Sequence, residues 1–144
     1  MYKHILLPTD GSELSKAAVA HGIALAKAIG ANVTALVVLT PFGSLVVDEN
    51  LVGSALDQYK ALVADQTAKH LGNIKEDAIS SGISCNVVCI ENDKPYEAIV
   101  ETAKTADCDL IVMASHGLSG ISAILGSETL KVLTHTPIPI LVYR

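Results

Sequence analysis

Short apolar segments alternate with longer segments of helical spacing along the whole chain, and this alternation constrains the fold more than any other feature. The clearest strand is ANVTALVVL (Ala31–Leu39), which is β-branched and almost wholly apolar, as is typical of a parallel strand covered by helices on both faces. The segment before it has small and apolar residues at helical spacing, with Ser12 as the predicted N-cap and Gly30 as the predicted end.

The same patterns divide the rest of the chain into strands and helices. We expect strands at His4–Pro8, Ala31–Leu39, Ile83–Glu91, Asp109–Ser115 and Ile138–Arg144, with helices between them, the longest at Ser54–Ser80. Strands that alternate with helices predict right-handed crossovers and a parallel sheet. The sequence therefore predicts a single α/β domain over residues 1–144, an open five-stranded parallel sheet of Rossmann-like type with helices on both faces.

Composition excludes several classes of partner. The 144-residue chain has a net charge of −5 and no basic cluster, so no nucleic-acid partner is expected. No apolar run approaches the roughly 18 residues of a membrane span, and none near the N-terminus suits a signal peptide. We therefore expect no membrane association and a cytoplasmic location. Cys85 and Cys89 share one strand face and are most simply two small buried residues, without a metal or redox role.

Three segments with polar or glycine-rich sequences follow predicted strands: PTDGS (Pro8–Ser12), VVLTP (Val37–Pro41) and the glycine-rich stretch that begins at Met113. In open parallel sheets, ligands bind at the carboxyl ends of the strands, near the change in strand order. The long segment Thr40–Gly53 follows the second strand, and it either covers such a pocket, meets a partner, or packs on its own domain.

The glycine-rich stretch is neither a Walker A motif nor GxGxxG. It presents G-x-x-G and then Gly126-Ser127 at a predicted helix start, where free amides and the helix dipole favour an anion. Serine hydroxyls at positions 119, 122 and 127 add donors. Asp10 either caps its own turn or contacts a ligand, and His116 either fixes the loop or donates to a phosphate oxygen. The other four histidines lie on predicted strands or helices, where packing or surface positions explain them.

Three stretches together resemble the universal stress protein family: MYKHILLPTDGSELSKAAVAHGIALA, DLIVMASHGLSGISAILGSETLKVL and the final PIPILVYR. The resemblance covers the whole chain. It implies a five-stranded parallel α/β fold and, in many members, a homodimer. One branch of the family binds ATP through the pattern G-x2-G-x9-G-[ST], and some members hydrolyse it slowly; another branch lacks the phosphate loop and does not bind ATP.

By resemblance, Asp10 contacts the nucleoside, the backbone of Val38 contacts adenine, and Met113 lies near the base. The residues implied at the nucleotide site are Pro8, Thr9, Asp10, Val38, Met113, Ala114, His116, Gly117, Gly126, Ser127 and Glu128. The sequence departs from the family pattern twice: Ala114 stands where the first glycine belongs, and eight residues separate Gly117 from Gly126 instead of nine.

Three functions follow from these observations. The first is a regulatory module that binds ATP or AMP, with Mg²⁺ arriving only with the nucleotide. The second is a homodimeric interaction protein with an empty pocket, acting on unidentified protein partners. The third is a slow ATP hydrolase, for which no general base or metal cluster is visible. We expect the dimer to form through the C-terminal strand, whose apolar edge invites pairing. Because the loop that would surround the phosphates is shorter, we expect AMP to bind nearly as strongly as ATP.

Overall fold

A computed structural model describes residues 1–41, 53–117 and 125–144. Most of the long segment Thr40–Gly53, for which three roles were left open, lies outside these residues, as do Ser119 and Ser122 of the glycine-rich stretch. In chain order the elements are β1 (His4–Pro8), α1 (Glu13–Ile29), β2 (Asn32–Leu39), α2 (Ser54–Ser80), β3 (Cys85–Glu91), α3 (Pro95–Thr105), β4 (Leu110–Ala114), α4 (Ser127–His135) and β5 (Ile140–Tyr143).

The strands form one parallel sheet in the order β3-β2-β1-β4-β5. This confirms the predicted single-domain α/β fold with five parallel strands. From β1 the chain moves outward in one direction through β2 and β3, and then in the other direction through β4 and β5. The direction changes between β1 and β4, which is where ligand clefts form in open sheets of this kind.

Helices cover both faces of the sheet, and successive residues of the central strand point alternately to these two faces. Ile5 and Leu7 of β1 are fully buried against α1 and α2, whereas Leu6 is fully buried on the face that α3 and α4 cover. Such two-sided burial explains why the strands are almost continuously apolar. It also holds the carboxyl end of β1 in place between two packed layers.

The predicted helix ends are confirmed. The Ser12 hydroxyl caps α1 by accepting a hydrogen bond from the N–H group of Ser15 at 3.2 Å. Gly30 ends the same helix with φ of 71°, a left-handed conformation in which glycine has no steric penalty. Pro95 occupies the first turn of α3, where its missing N–H group costs nothing.

The expectation that both Cys85 and Cys89 are buried is wrong for Cys89. Cys85 is buried beside Leu71, Ile74 and Ala78, the buried residues of α2, whereas Cys89 is exposed. All three α2 residues lie in the second half of that helix, so the helix covers only the beginning of β3. Because β3 is also an edge strand, the position of Cys89 further along the strand leaves it open to solvent.

Candidate functional site

The ends of three strands and the start of α4 enclose a cleft of about 1000 Å³ at the carboxyl edge of the sheet. All eleven residues that the sequence analysis named line this cleft: Pro8, Thr9, Asp10, Val38, Met113, Ala114, His116, Gly117, Gly126, Ser127 and Glu128. The structure therefore brings together residues that are more than 100 positions apart in the chain. Their roles toward a ligand remain predictions.

Asp10 lies where the first strand segment meets the glycine-rich segment. Its Oδ1 atom accepts a hydrogen bond from the N–H group of Ser12 at 3.0 Å, so the residue does stabilise its own turn. Its other carboxylate oxygen lies so close to Gly117 that a Cβ atom there would collide with it. A glycine at position 117 thus lets the Asp10 carboxylate sit against the backbone at the end of β4.

Val38 presents its backbone to the cleft. The carbonyl of Leu36 points toward β1 and accepts from the Thr9 N–H group at 2.9 Å, whereas the carbonyl of Leu39 points toward β3 and accepts from Asn92. Successive residues of a strand direct their N–H and C=O groups to opposite neighbours. Val38 therefore directs both groups to the same side as Leu36, just beyond the last residue of β1, where the cleft begins.

The amino terminus of α4 is held tightly against the end of β4. The N–H group of Gly126 donates to the carbonyl of Ser115 at 2.6 Å, and the Thr129 hydroxyl donates to the carbonyl of Ala114 at 3.0 Å. A Cβ atom on Gly126 would lie 3.1 Å from the Ser115 carbonyl oxygen and from the His116 Cα atom, tighter than ordinary packing permits. Position 126 therefore favours glycine, because a side chain there would push apart two backbone segments that meet closely.

Ala114 and His116 continue the same segment. Ala114 is the buried last residue of β4, and among the described residues only Asp107 combines a side chain with positive φ. The alanine therefore sits in backbone that any residue adopts, and this departure from the family pattern is a small one. His116 is half-buried, with its Nδ1 atom 3.1 Å from the Ser115 hydroxyl, so it helps to order the loop as well as lining the cleft.

Glu128 connects two helices at the edge of the cleft. It lies in the first turn of α4, but its Oε2 atom accepts from the Tyr96 N–H group at the start of α3, at 2.9 Å. Its Oε1 atom lies 3.1 Å from the ammonium group of Lys131. Both carboxylate oxygens thus have protein partners in the structure.

The sequence analysis missed a polar cluster on the α1 and α2 side of the cleft. The Thr9 Oγ1 atom lies 3.0 Å from the Ser15 hydroxyl and 3.1 Å from the His70 Nε2 atom. The Ser15 hydroxyl is also 3.0 Å from the Ser12 carbonyl oxygen, so the two hydroxyl groups and the imidazole ring form one connected hydrogen-bond network.

The environment of His70 lowers its pKa below the ordinary 6.5, through burial first and the positive charge of Lys16 second, with Asp10 opposing. The sequence does contain one pattern that could have placed His70 at the cleft. At helical spacing, one stripe of α2 contains Val63, Gln66, Thr67 and His70, and all four line the cleft. Lys16 lines it as well, from α1.

Two further properties belong to the described part of the chain. None of its helices has both the length and the apolar composition needed to cross a membrane. It also contains no cluster of three or more histidine, cysteine or acidic side chains placed to hold a metal ion.

Comparisons by sequence agree with the fold. A model of the universal stress protein family matches residues 1–144, so the chain belongs to this family. Universal stress protein MJ0531 of Methanocaldococcus jannaschii is 32% identical over 147 residues, which cover 100% of this chain and 83% of that protein. Universal stress protein YxiE of Bacillus subtilis is 30% identical over 151 residues, covering both proteins completely.

Solved structures show the same architecture. Protein MJ0577 of Methanocaldococcus jannaschii superposes with a TM-score of 0.82 at 30% identity, covering 99% of this chain and 96% of that one. Universal stress protein UspA from Lactobacillus plantarum gives a TM-score of 0.76 at 28% identity, covering 99% and 98%. The chain is therefore similar to these proteins over nearly its whole length.

Proposed function

We propose that the cleft binds an adenine nucleotide, AMP or ATP, and that the protein is a nucleotide-binding regulatory module. The observation that carries this proposal is the placement of two backbone features in one cleft. Val38 directs a donor and an acceptor there, which matches the acceptor ring nitrogen and donor amino group of adenine. The first turn of α4 has no side-chain cap, and such amides bind phosphate.

Ligands of structural neighbours support the choice of adenine. One universal stress protein, 24% identical to this chain, was solved in complex with cAMP, and another from Archaeoglobus fulgidus, 17% identical, was solved with dAMP. At these identities the likeness establishes a shared fold, and the ligands belong to those proteins. Both ligands nevertheless combine an adenine base with a single phosphate group.

Binding is expected to depend mainly on the base and the sugar. These contacts come from the ends of β1 and β2, together with Met113, whereas the phosphates depend on the altered glycine segment. AMP should therefore bind nearly as well as ATP. Mg²⁺ would arrive with ATP, held by phosphate oxygens and water, which is its usual coordination.

Isothermal titration calorimetry of nucleotide-free protein tests the proposal. AMP and ATP at millimolar concentration should each give saturable heat with one site per chain. Asp10→Ala should weaken both nucleotides alike, by roughly ten-fold or more, as for loss of a charge-assisted hydrogen bond. Asp77→Ala, which removes an equal charge from an exposed position of α2, should leave both unchanged. Absence of heat from both nucleotides would reject the proposal and favour a homodimeric interaction protein with an empty cleft.

A further inference from the structure

The amino termini of α3 and α4 meet at one edge of the cleft, which both Pro95 and Glu128 line. Each helix terminus carries a partial positive charge and several N–H groups without partners in its own helix. Neither helix has a side-chain cap at its own N-cap residue. Two such termini would together form a favourable place for an anion.

Glu128 changes this balance. Its carboxylate accepts from the Tyr96 N–H group, and so it already occupies the terminus of α3 with a negative charge. It does so from the first turn of α4, the turn whose amides remain for the ligand. A phosphate bound at α4 is consequently placed beside a fixed carboxylate.

The neighbouring cations offset this charge only in part. Lys131 lies 3.1 Å from Glu128, but the two side chains are 48% and 37% exposed, so solvent screens the pair. Apart from histidine, the charged residues that line the cleft within the described part of the chain are Asp10, Lys16 and Glu128, two acids and one base. Lys16 lies 2.9 Å from Glu13, in a pair that solvent also screens because the two side chains are 50% and 92% exposed. Each phosphate added to a ligand therefore meets little positive charge.

We propose that Glu128 determines how many phosphates the ligand carries, by favouring a nucleoside monophosphate over a triphosphate. This inference rests on the proposed adenine-nucleotide function. ATP has about two more negative charges than AMP near neutral pH. At a separation of roughly 7 Å in a dielectric near that of water, each charge changes affinity about three-fold, and salt reduces this effect. Removing the Glu128 charge should thus favour ATP by about three- to seven-fold.

The test measures AMP and ATP affinities by calorimetry at low salt, with EDTA present so that ATP keeps its full charge. Glu128→Gln removes the charge but retains an oxygen that can accept from Tyr96. Lys131→Gln removes the cation beside Glu128, and it should change the ratio of ATP to AMP affinity in the opposite direction. Glu101→Gln is the matched control, because it deletes the same charge from an exposed position of α3 that does not line this cleft. Thermal unfolding of each variant checks that the fold is retained.

We expect Glu128→Gln to raise the ratio of ATP to AMP affinity about three- to seven-fold. AMP affinity should itself rise, because its phosphate group also lies beside the carboxylate. Lys131→Gln should weaken ATP binding more than AMP binding, and both effects should shrink in about 0.5 M salt. An unchanged ratio of ATP to AMP affinity in Glu128→Gln, or an equal change in Glu101→Gln, would overturn this inference and leave the proposed nucleotide function standing. Absence of heat from both nucleotides with the unaltered protein would overturn both.

Discussion

The Thr9 hydroxyl joins three parts of the molecule through one oxygen atom. It forms hydrogen bonds with Ser15 of α1 and His70 of α2, while Thr9 itself directly follows β1. A protonated His70 ring carries a hydrogen on both nitrogens, so its Nε2 atom can donate to Thr9 whichever nitrogen holds the hydrogen in the neutral ring. Protonation would therefore place a positive charge beside the cleft without breaking the hydrogen-bond chain.

We predict that His70 makes the folded protein less stable in mild acid. Because burial and Lys16 lower its pKa in the folded state, the unfolded chain binds this proton more readily. The corresponding stability is fully present above pH 6.5, the ordinary pKa, and is lost as pH falls through the folded-state pKa. Urea unfolding between pH 8 and pH 5 should show a smaller acid loss for His70→Gln than for the unaltered protein. Equal losses in the two proteins would contradict this prediction.

Single residues differ in how far the sequence could predict their positions. Asp10 and Gly117 follow strands directly, so their convergence follows from the rule for parallel sheets. His70 could not be placed, because a polar residue on a long helix faces either the cleft or solvent depending on the packing angle of that helix. The contact of Glu128 with Tyr96 joins residues 32 positions apart through side-chain geometry, which no local pattern contains.

At the scale of elements, α1 packs closely on β1 because Gly22 faces Leu7. A Cβ atom at position 22 would overlap the end of the Leu7 side chain, which is fully buried among the core residues. Gly72, in α2, has no described atom within 4 Å of the corresponding position outside its own helical turn. These two helical glycines thus have the same conformational cost but different surroundings.

We predict opposite effects for the same substitution at these positions. Gly72→Ala should stabilise the protein by about 0.5–1 kcal/mol, the intrinsic helix preference of alanine over glycine. Gly22→Ala should destabilise it by about 1 kcal/mol, because overpacking costs roughly 1–3 kcal/mol and exceeds that gain. Urea unfolding of both variants measures the difference in free energy of unfolding. Stabilisation by Gly22→Ala would show that the α1–β1 contact is looser than the structure indicates.

Strands and helices were predictable where periodicity and end signals agree. The bounds of α2 match the expected Ser54–Ser80, and Ser12 and Gly30 mark the ends of α1 as expected. The exposure of Cys89 was not predictable, because the alternation of β3 shows which residues share a face but not how much of that face α2 covers.

At the scale of the whole molecule, β5 leaves one edge of the sheet open among the described residues. The carbonyl groups of Pro139 and Tyr143 accept hydrogen bonds from the N–H groups of Ile111 and Ser115. Because backbone groups alternate in direction along a strand, those of Leu141 also point toward β4. Ile140 and Val142 therefore direct their N–H and C=O groups outward, and Leu141 exposes 42% of its surface. An open edge with apolar side chains is suited to pairing with a second copy.

We predict a homodimer in which two β5 strands pair in antiparallel register. Light scattering at micromolar concentration should then give twice the chain mass of 15.0 kDa. Val142→Pro removes an outward N–H group but none that donates to β4, so it should yield a folded monomer. Circular dichroism provides the control for folding. If light scattering of the unaltered protein gives only the mass of one chain, the predicted dimer is contradicted.

Chemical-shift mapping tests the central claim, that the cleft is an adenine-nucleotide site, most directly. Titration of ¹⁵N-labelled protein with AMP should shift the amide of Val38 and those of Ser127, Glu128 and Thr129 together, with one saturation curve. The amide shifts of Ser81 and Gly82, which lie before β3 near the amino-terminal ends of the strands, should not change. Shifts confined to residues away from the cleft, or none at millimolar AMP, would contradict the account.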